Sequence, residues 1–414
     1  MMLLKLVNAR LPNAETKEDL STLWIRDGRF VAEPKGNESS TLTIESLDLH
    51  GQLVLPGLIE THLHLDKACI LHRCKLVKGT LDEAIQQTAA CKADFTEADV
   101  YQRAERVLQM AITKGTTHIR THVEIDPTIG LKGFRAIQKL RLDYAWAVTI
   151  EICVFPQDGL LNLPGTEELL VQALDEGADL LGGCPYTDTD PNGQIAHLFD
   201  IATARDIHLD FHLDFDLDGT WMRLDEVCRQ TVAHNWQGRV TIGHVTKLSV
   251  LPPDRLQQVA KLLGESGVQV TALPSTDLFL SGRDRTHAVP RGVAPLMALH
   301  CHGVTCSLSS NNIGNPFTPY GDASLVRQAN LYANIAQLGT PPELIQCLAW
   351  VSTESAKLIG LKDYGLQPGC WADFIVVNAD NSATVIARIC QPTMGFKRGK
   401  QTFRHDKAKI LFPK

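Results

Sequence analysis

Two histidines separated by one residue, His62 and His64, follow the apolar run "LVLPGLIET". Strand side chains alternate with period two, so histidines at this spacing share one face of a strand. Both imidazoles can then bind one metal ion at about 2 Å from each nitrogen. A third histidine from another strand would complete three protein ligands and leave one coordination position for water. His62 and His64 are therefore candidate metal ligands.

The stretch "DFHLDFDLDG", residues 210–219, contains the best candidate for the third ligand. Its strict alternation places His212 and Asp214 on one face and Phe215 on the other. His212 can complete a three-histidine set, and Asp214 is an ionisable group close enough to carry a proton. Two simpler interpretations stay open: a solvated strand face, or an aspartate that caps a loop or orients an imidazole.

Composition excludes several functional classes. The chain has 414 residues, 44% of them hydrophobic, and a net charge of −7 without a basic run, so nucleic-acid binding has little support. Eleven cysteines without a CxxC pair are typical of a reduced, cytoplasmic protein. No apolar run approaches the length that a bilayer requires, so we expect no membrane partner.

The elements that must position these residues alternate along the chain. Helical stretches include 81–92, 96–113, 166–176, 193–204, 222–234 and 253–266. The strand candidates are 57–62, 117–124, 147–155, 179–184, 207–214, 239–245, 268–273 and 303–309. Eight strands spaced by helices predict an α/β protein with a (β/α)₈ TIM-like barrel over residues 56–362. Short strands and turns characterise the two chain ends, 1–55 and 363–414.

In such a barrel the carboxyl ends of the strands converge on one face, where the chemistry occurs. Polar residues stand at most of these predicted strand ends. They are His62, His64, Asp66, Lys67, His122, Glu124, Asp126, Gln157, Asp188, Asp190, His212, Asp214, Asp216, His244, Asp277, Asn311 and Asn312. The sequence therefore predicts a polar, histidine-rich site at this face.

The motifs "LPGLIETHLHLDK", "RTHVE", "VFPQDG", "VTIGHVT" and "NPFTPYGD" resemble the amidohydrolase superfamily, and in their order the bacterial cytosine deaminases and related triazine-ring hydrolases. The resemblance implies that residues 1–55 and 363–414 join in one small β-sandwich. It also implies one Fe²⁺ or Zn²⁺ ion on His62, His64 and His212. His244 would contact the metal-bound water, and Gln157 would hold the amide edge of the ring.

Two positions depart from the family pattern. Phe215 stands where a glutamate is expected after the fifth strand, and Asn311 where an aspartate is expected after the eighth. Neither residue can take a proton from water, and general acid–base catalysis contributes ~10²–10⁴-fold. Asp214 is the first candidate to replace these acids and Asp277 the second.

Four further residues are candidates for substrate binding. They are Gln157, Lys67, Asn311 and Asn312. Lys67 either orients a substrate carbonyl or pairs with a neighbouring carboxylate, and the sequence leaves both open.

Two functions remain. The first is a cytosine deaminase-like, metal-dependent amidohydrolase that breaks a C–N bond of a small nitrogen heterocycle, such as a pyrimidine or triazine, by deamination or by amide or amine release. The second is a catalytically impaired, metal- or ligand-binding relative. The retained His62, His64, His212, His244 and Gln157 favour the enzyme. The sequence leaves the metal, the ring and homo-oligomerisation open.

Overall fold

A parallel eight-stranded barrel forms the centre of the molecule. The computed structural model describes residues 2–14, 16, 18–34, 43–406, 408 and 410–411. Five strands precede the barrel: β1 (Met2–Ala9), β2 (Ser21–Arg26), β3 (Arg29–Val31), β4 (Thr43–Asp48) and β5 (Leu53–Pro56). The barrel strands are β6 (Leu58–Leu63), β7 (Thr116–Glu124), β8 (Thr149–Phe155), β9 (Leu180–Gly183), β10 (Leu209–Leu213), β11 (Val240–His244), β12 (Gln269–Ala272) and β13 (Cys306–Leu308).

The barrel strands pair in chain order, each parallel to the next, from β6 to β13. The gap between the first and last strands is bridged just beyond β13. There the Asn311 amide donates to the His62 carbonyl at 2.9 Å, and the His64 amide donates to the Asn311 carbonyl at 2.8 Å. The prediction of a (β/α)₈ barrel is confirmed.

Helices cover the outside of the barrel and share one apolar core with its strands. The first seven are α1 (Leu81–Lys92), α2 (Glu97–Thr113), α3 (Lys132–Asp143), α4 (Thr166–Asp175), α5 (Pro191–Arg205), α6 (Leu224–Ala233) and α7 (Pro253–Ser266). The others are α8 (Pro274–Leu280), α9 (Leu296–His300), α10 (Leu325–Ala336), α11 (Pro341–Ala349), α12 (Thr353–Leu358) and α13 (Ser382–Ala387).

Local signals explain the helix ends that were predicted to the residue, those of α1 and α7. The Thr80 hydroxyl accepts a hydrogen bond from the Glu83 amide at the start of α1. Pro253 is the first residue of α7, where its missing N–H costs nothing, and Gly267 ends the helix at φ +66°.

The two chain ends form two small sheets. Three more strands follow the barrel: β14 (Phe374–Val377), β15 (Pro392–Lys397) and β16 (Lys400–Arg404). One sheet has the order β3-β2-β1-β4, and the other has β16-β15-β14-β5. Residues from both sheets share an apolar core, in which the Phe30 and Phe374 rings lie 5.7 Å apart. We therefore propose that residues 1–55 and 363–414 form one unit beside the barrel at 56–362. Within these ranges, residues 1, 15, 17, 35–42, 407, 409 and 412–414 lie outside the described residues.

No helix in the described part of the chain has both the length and the apolarity that crossing a bilayer needs.

A buried ion pair connects the small sheets to the barrel. The Lys397 ammonium, at the end of β15, donates to Asp373 Oδ2 at 2.6 Å and to the Thr117 carbonyl of β7 at 3.0 Å. Lys397 and Asp373 are only 2% and 4% exposed. A carboxylate buried this deeply depends on its partner, because desolvation disfavours the unpaired charge.

We expect Lys397→Met to lower the free energy of unfolding by about 3–5 kcal/mol, because it leaves the Asp373 carboxylate without its closest cation. Denaturant titration followed by circular dichroism measures this change. Lys400→Met is the control, because Lys400 is an exposed lysine three residues away. Equal stability of the two variants would contradict the structural role of the pair.

Candidate metal centre and active-site pocket

The three histidines predicted as metal ligands meet at the carboxyl ends of the strands. His62 lies on β6, His64 just after it, and His212 on β10. The Nε2 atom of His212 is 3.0 Å from the Nε2 atom of His62 and 3.0 Å from that of His64. All three rings are buried, and one nitrogen from each lies within 4.8 Å of the others. This arrangement could hold one metal ion.

The electrostatic environment keeps these histidines neutral, which is the form that binds metal. Burial lowers the pKa of His62 to about 3 and the pKa values of His64 and His212 well below the usual 6.5. Neighbouring imidazoles and, for His64 and His212, the Lys67 ammonium lower them further. Three neutral imidazole nitrogens aimed at one point fit a divalent transition metal such as Zn²⁺ or Fe²⁺.

A buried carboxylate, Asp210, lies behind the His62 ring. Its Oδ1 atom is 3.7 Å from His62 Nδ1 and 3.4 Å from Nε2 of His122, whose ring stacks on His62 at 3.8 Å. Its Oδ2 atom accepts from Arg120 at 3.1 Å, and Arg120 also pairs with Glu151. Burial opposes the charge on Asp210, but its histidine neighbours outweigh burial and hold its pKa well below the usual range.

Asp210 and His122 were not among the predicted metal or catalytic residues. A carboxylate facing the Nδ1 side of His62 favours the tautomer with the proton on Nδ1, and so leaves Nε2 free for a metal. The alternation of "DFH" already placed Asp210 on the same face as His212, and this was the signal that could have identified it. Close packing also restricts the orientation of the His62 ring, because a Cβ added to Gly243 would lie only 3.1 Å from it.

Asn311 lies near the histidines, at the bridge that closes the barrel. Its backbone has φ +60°, and its buried Oδ1 atom has no hydrogen-bond partner among the described residues. An amide oxygen can bind a metal, but it has no basic lone pair that takes a proton from water. Asn311 therefore supplies an unpartnered oxygen to the pocket, and no base.

His244 and Asp277 form a buried pair beside the three histidines. His244 Nδ1 lies 2.6 Å from Asp277 Oδ1, and the other carboxylate oxygen accepts from the Leu273 amide at 3.0 Å. The His244 ring lies 5.6 Å from the His212 ring, centre to centre. Burial raises the pKa of Asp277, while His244 acts against that rise. The pair fixes the His244 ring with its Nε2 atom available to a ligand.

Asp214 does not face the histidines, so the prediction from strand alternation is wrong for this residue. Strand β10 ends at Leu213, and Asp214 has φ +50°, which turns its side chain out of the alternation. Its carboxylate accepts from the amides of Arg223 at 2.8 Å and Leu224 at 3.0 Å, at the start of α6. Phe215 was expected on the other face, against the helices or lining a pocket, and it lines the cavity.

Of the predicted substrate-binding residues, Lys67 and Gln157 contact each other. The Lys67 ammonium donates to Glu124 Oε1 at 2.7 Å and to Gln157 Oε1 at 3.2 Å. Burial would raise the pKa of Glu124, but Lys67 and Lys92 outweigh burial and lower it to about 2. Lys67 therefore does pair with a carboxylate. It also lines the cavity, and its contact with a substrate carbonyl stays a prediction.

Several of these side chains surround a small cavity at the mouth of the barrel. It is lined by His64, Lys67, Leu81, Gln157, Tyr186, His212, Phe215, His244, Thr276, Leu280, Asn311, Asn312 and Phe317. Apolar side chains with a few polar groups among them are typical of the lining of a small-molecule site.

Comparisons with known proteins show the family to which the chain belongs. The sequence profile of the Amidohydrolase family matches residues 101–403, and the chain belongs to this family. The structure superimposes on 5-methylcytosine deaminase from Klebsiella pneumoniae liganded with 5-fluorocytosine, with a TM-score of 0.91, 26% identity and 99% coverage of both chains.

Two further relatives are named for other nitrogen rings. N-isopropylammelide isopropylaminohydrolase from Burkholderia multivorans has a TM-score of 0.84 and 29% identity, covering 98% of this chain and 99% of its own. Pterin deaminase from Rhizobium rhizogenes is 26% identical over 357 residues, which are 85% of this chain and 81% of the relative.

We expect Asp214→Ala to lower the free energy of unfolding by about 1–3 kcal/mol, because the amides of Arg223 and Leu224 lose their buried acceptor. Metal content should stay at the native value, since the carboxylate faces away from the histidines. Asp200→Ala, at an exposed position on α5, is the control for stability. Loss of metal in Asp214→Ala, with stability retained, would return Asp214 to the site.

We expect His212→Ala to weaken metal binding by more than ~100-fold, beyond the range for partners outside the ligand sphere. His212 Nε2 contacts both other candidate ligand nitrogens, so its loss leaves two. Metal per chain after dialysis, measured by mass spectrometry, gives the result. The exposed His302→Ala is the control. Native metal content in His212→Ala would rule out this ligand set.

Proposed function

We propose that this protein is a metal-dependent hydrolase that breaks a C–N bond of a small nitrogen heterocycle. The observation that carries the proposal is the meeting of three imidazole Nε2 atoms beside the His244–Asp277 pair. Of these residues, His64, His212 and His244 line one cavity. His62, His64 and His212 would hold the ion, Fe²⁺ or Zn²⁺, because neutral imidazole suits both. When bound, such an ion supplies a Lewis acid and a water whose pKa is lowered to ~7.

We assign proton transfer to His244, positioned by Asp277. Because Asp277 accepts from Nδ1, the Nε2 atom of His244 is left to take a proton from water and to deliver one to the leaving nitrogen. This assignment replaces the earlier candidate Asp214, whose carboxylate binds the start of α6. Asp277 acts through His244, because it does not line the cavity.

The remaining cavity residues would bind the ring and exclude water. Lys67 and Gln157 offer polar contacts on one wall, and Leu81, Phe215 and Phe317 supply apolar surface on others. The Phe215 ring packs edge-on against His244 at 4.6 Å, which limits the movement of the imidazole. A relative liganded with 5-fluorocytosine supports a small nitrogen ring as the ligand.

A second candidate is a relative that binds metal or ligand without turnover. Asn311 and Phe215, two neutral residues at the site, favour it, because each occupies a position where an acid is expected from the family resemblance. The two candidates differ in whether His244 and Asp277 supply enough acid–base catalysis on their own.

The test is a screen of aminopyrimidines, aminotriazines and pterins for ammonia or amine release by protein loaded with Zn²⁺ or Fe²⁺. We expect at least one ring to turn over, and Asp277→Asn to lower kcat by about 10²-fold or more with metal content unchanged. Asp214→Asn is the matched control, because it neutralises another buried aspartate outside the cavity.

Absence of turnover in the native protein, with turnover gained in Asn311→Asp, would favour the second candidate instead. Equal kcat in Asp277→Asn and the native protein would contradict the role of the His244–Asp277 pair.

A further inference from the structure

Two cysteines that the proposed hydrolase does not use, Cys74 and Cys91, have their sulfur atoms in contact. Both are free thiols, and their Sγ atoms lie 3.3 Å apart. Two thiols at this separation need only a small movement to reach the ~2.05 Å of a disulfide bond. Neither residue lines the cavity at the mouth of the barrel. The two thiols therefore form a separate pair of reactive side chains.

The backbone on either side holds this contact in place. Cys74 directly follows a short 3₁₀ turn, Leu71–Arg73, and Cys91 lies in the last turn of α1. Cys74 Sγ lies 3.4 Å from the Ile70 carbonyl oxygen, and Cys91 Sγ lies 3.6 Å from the Arg73 carbonyl oxygen. Both cysteines are half-buried, so the sulfurs are packed in place and still open to a small dissolved oxidant.

The surroundings of the pair make the two sulfurs unequal. Burial, together with the hydrogen bond to Cys91, raises the pKa of Cys74 to about 12, so Cys74 keeps its proton. The Arg73 guanidinium acts against this rise but does not outweigh it. Since the thiolate is the nucleophile, Cys74 is the sulfur less suited to attack an oxidant first.

Residues 74–80, the entrance segment, connect the pair to the start of α1. The Glu83 carboxylate accepts from the backbone amides of residues 77–79 at 2.6–2.8 Å. The Val77 side chain, at the middle of the segment, is 85% exposed. Hydrogen bonds at an exposed surface with little apolar burial give a segment low local stability. The entrance segment therefore lies along α1 but is held there mainly by polar contacts.

The entrance segment leads directly into the wall of the active-site cavity. Leu81, the residue that follows it, lines this cavity and also an outer pocket beside it. Residues 280–285 line the same outer pocket, and from there Arg283 Nη1 donates to the Lys78 carbonyl at 3.4 Å. A change in how firmly the segment is held therefore acts on the edge of the cavity.

We propose that Cys74 and Cys91 are a redox modification site, at which a peroxide converts the two thiols into a reversible disulfide that ties the entrance segment to α1. The contact between the sulfurs carries this inference, which does not depend on the proposed hydrolase activity. The new bond closes a loop over residues 74–91, and closing a loop restricts the open forms of the chain. A covalent bond then reinforces the polar contacts of the segment.

The reaction has two steps. The Cys91 sulfur attacks one oxygen of hydrogen peroxide, the O–O bond breaks, and one water leaves while Cys91 becomes a sulfenic acid. The Cys74 sulfur then attacks the Cys91 sulfur, so that the S–S bond forms, the S–O bond breaks and a second water carries away the Cys74 proton. Two thiols and one peroxide thus give one disulfide and two waters, and a dithiol reductant reverses the change.

Peptide mapping of the oxidised protein tests the site. The protein, loaded with Zn²⁺ because this ion has no redox chemistry, is treated with hydrogen peroxide, alkylated in denaturant and digested with trypsin. Cleavage after Arg73, Lys75, Lys78 and Lys92 places Cys74 in peptide 74–75 and Cys91 in peptide 79–92. We expect mass spectrometry to find these two peptides joined, and to find them separate after dithiothreitol.

Single variants test the order of the two steps. In Cys74→Ser we expect the Cys91 sulfenic acid to persist and to be labelled by dimedone, because no second thiol displaces its hydroxyl group. In Cys91→Ser we expect little label on Cys74, since its sulfur keeps its proton. Cys301→Ser is the control, because it removes an exposed cysteine and should leave the joined peptides as in the native protein. Circular dichroism of the reduced variants checks that each is folded.

Trypsin cleavage of the folded protein tests the effect on the entrance segment. We expect cleavage after Lys78, four residues beyond Cys74, to be at least ~10-fold slower in the oxidised than in the reduced protein. The difference should vanish in Cys74→Ser treated in the same way. This measurement needs no substrate, so its result is independent of whether any ring is hydrolysed.

Full alkylation of both cysteines after peroxide treatment, or a disulfide that joins either of them to another cysteine, would overturn this inference. Joined peptides with unchanged cleavage after Lys78 would reject the effect on the entrance segment and support the modification site alone. Joined peptides with slower cleavage would support both parts of the inference.

Discussion

The site depends on the contact that closes the barrel. Two backbone hydrogen bonds, at 2.9 and 2.8 Å, join Asn311 to His62 and His64, so that the first and last strands are held together at the level of the histidines. His212 comes from the opposite part of the sheet order, on β10. Its ring can meet the other two only because the sheet curves around and closes at this point.

The second constraint on the site is that each buried carboxylate needs a partner that offsets its desolvation. Asp210, Glu124 and Asp277 are each almost fully buried, and each contacts a group that offsets the cost of desolvation: Arg120, Lys67 and His244. These partners also decide what each acid does. Asp210 faces the candidate metal-ligand histidines, Glu124 holds the lysine of the pocket wall, and Asp277 fixes the imidazole to which we assign proton transfer.

Periodicity and local signals in the sequence were enough to predict helix bounds and the order of the barrel strands. The bounds of α1 and α7 and the order of eight strands were correct, since caps, prolines and apolar spacing act locally. The meeting of His62, His64 and His212 followed from the barrel itself. The pairing of His244 with Asp277 joins two elements 33 residues apart and could not be read from spacing. Asp214 was misplaced because alternation holds only within a strand, and β10 ends one residue earlier.

Backbone conformation explains why the prediction for Asp214 was wrong and which side chains line the pocket. Asp214, His244 and Asn311 all have positive φ, at +50°, +72° and +60°, and each follows or ends a barrel strand. Residues other than glycine hold such conformations at a cost of ~1–3 kcal/mol each, and they cluster at functional sites. At Asp214 the turn moves a carboxylate out of the mouth and brings Phe215 in. The same local twist therefore removes a negative charge from the cavity and supplies the ring that packs against His244. The absence of the Asp214 carboxylate from the cavity and the restrained imidazole are two results of one backbone turn.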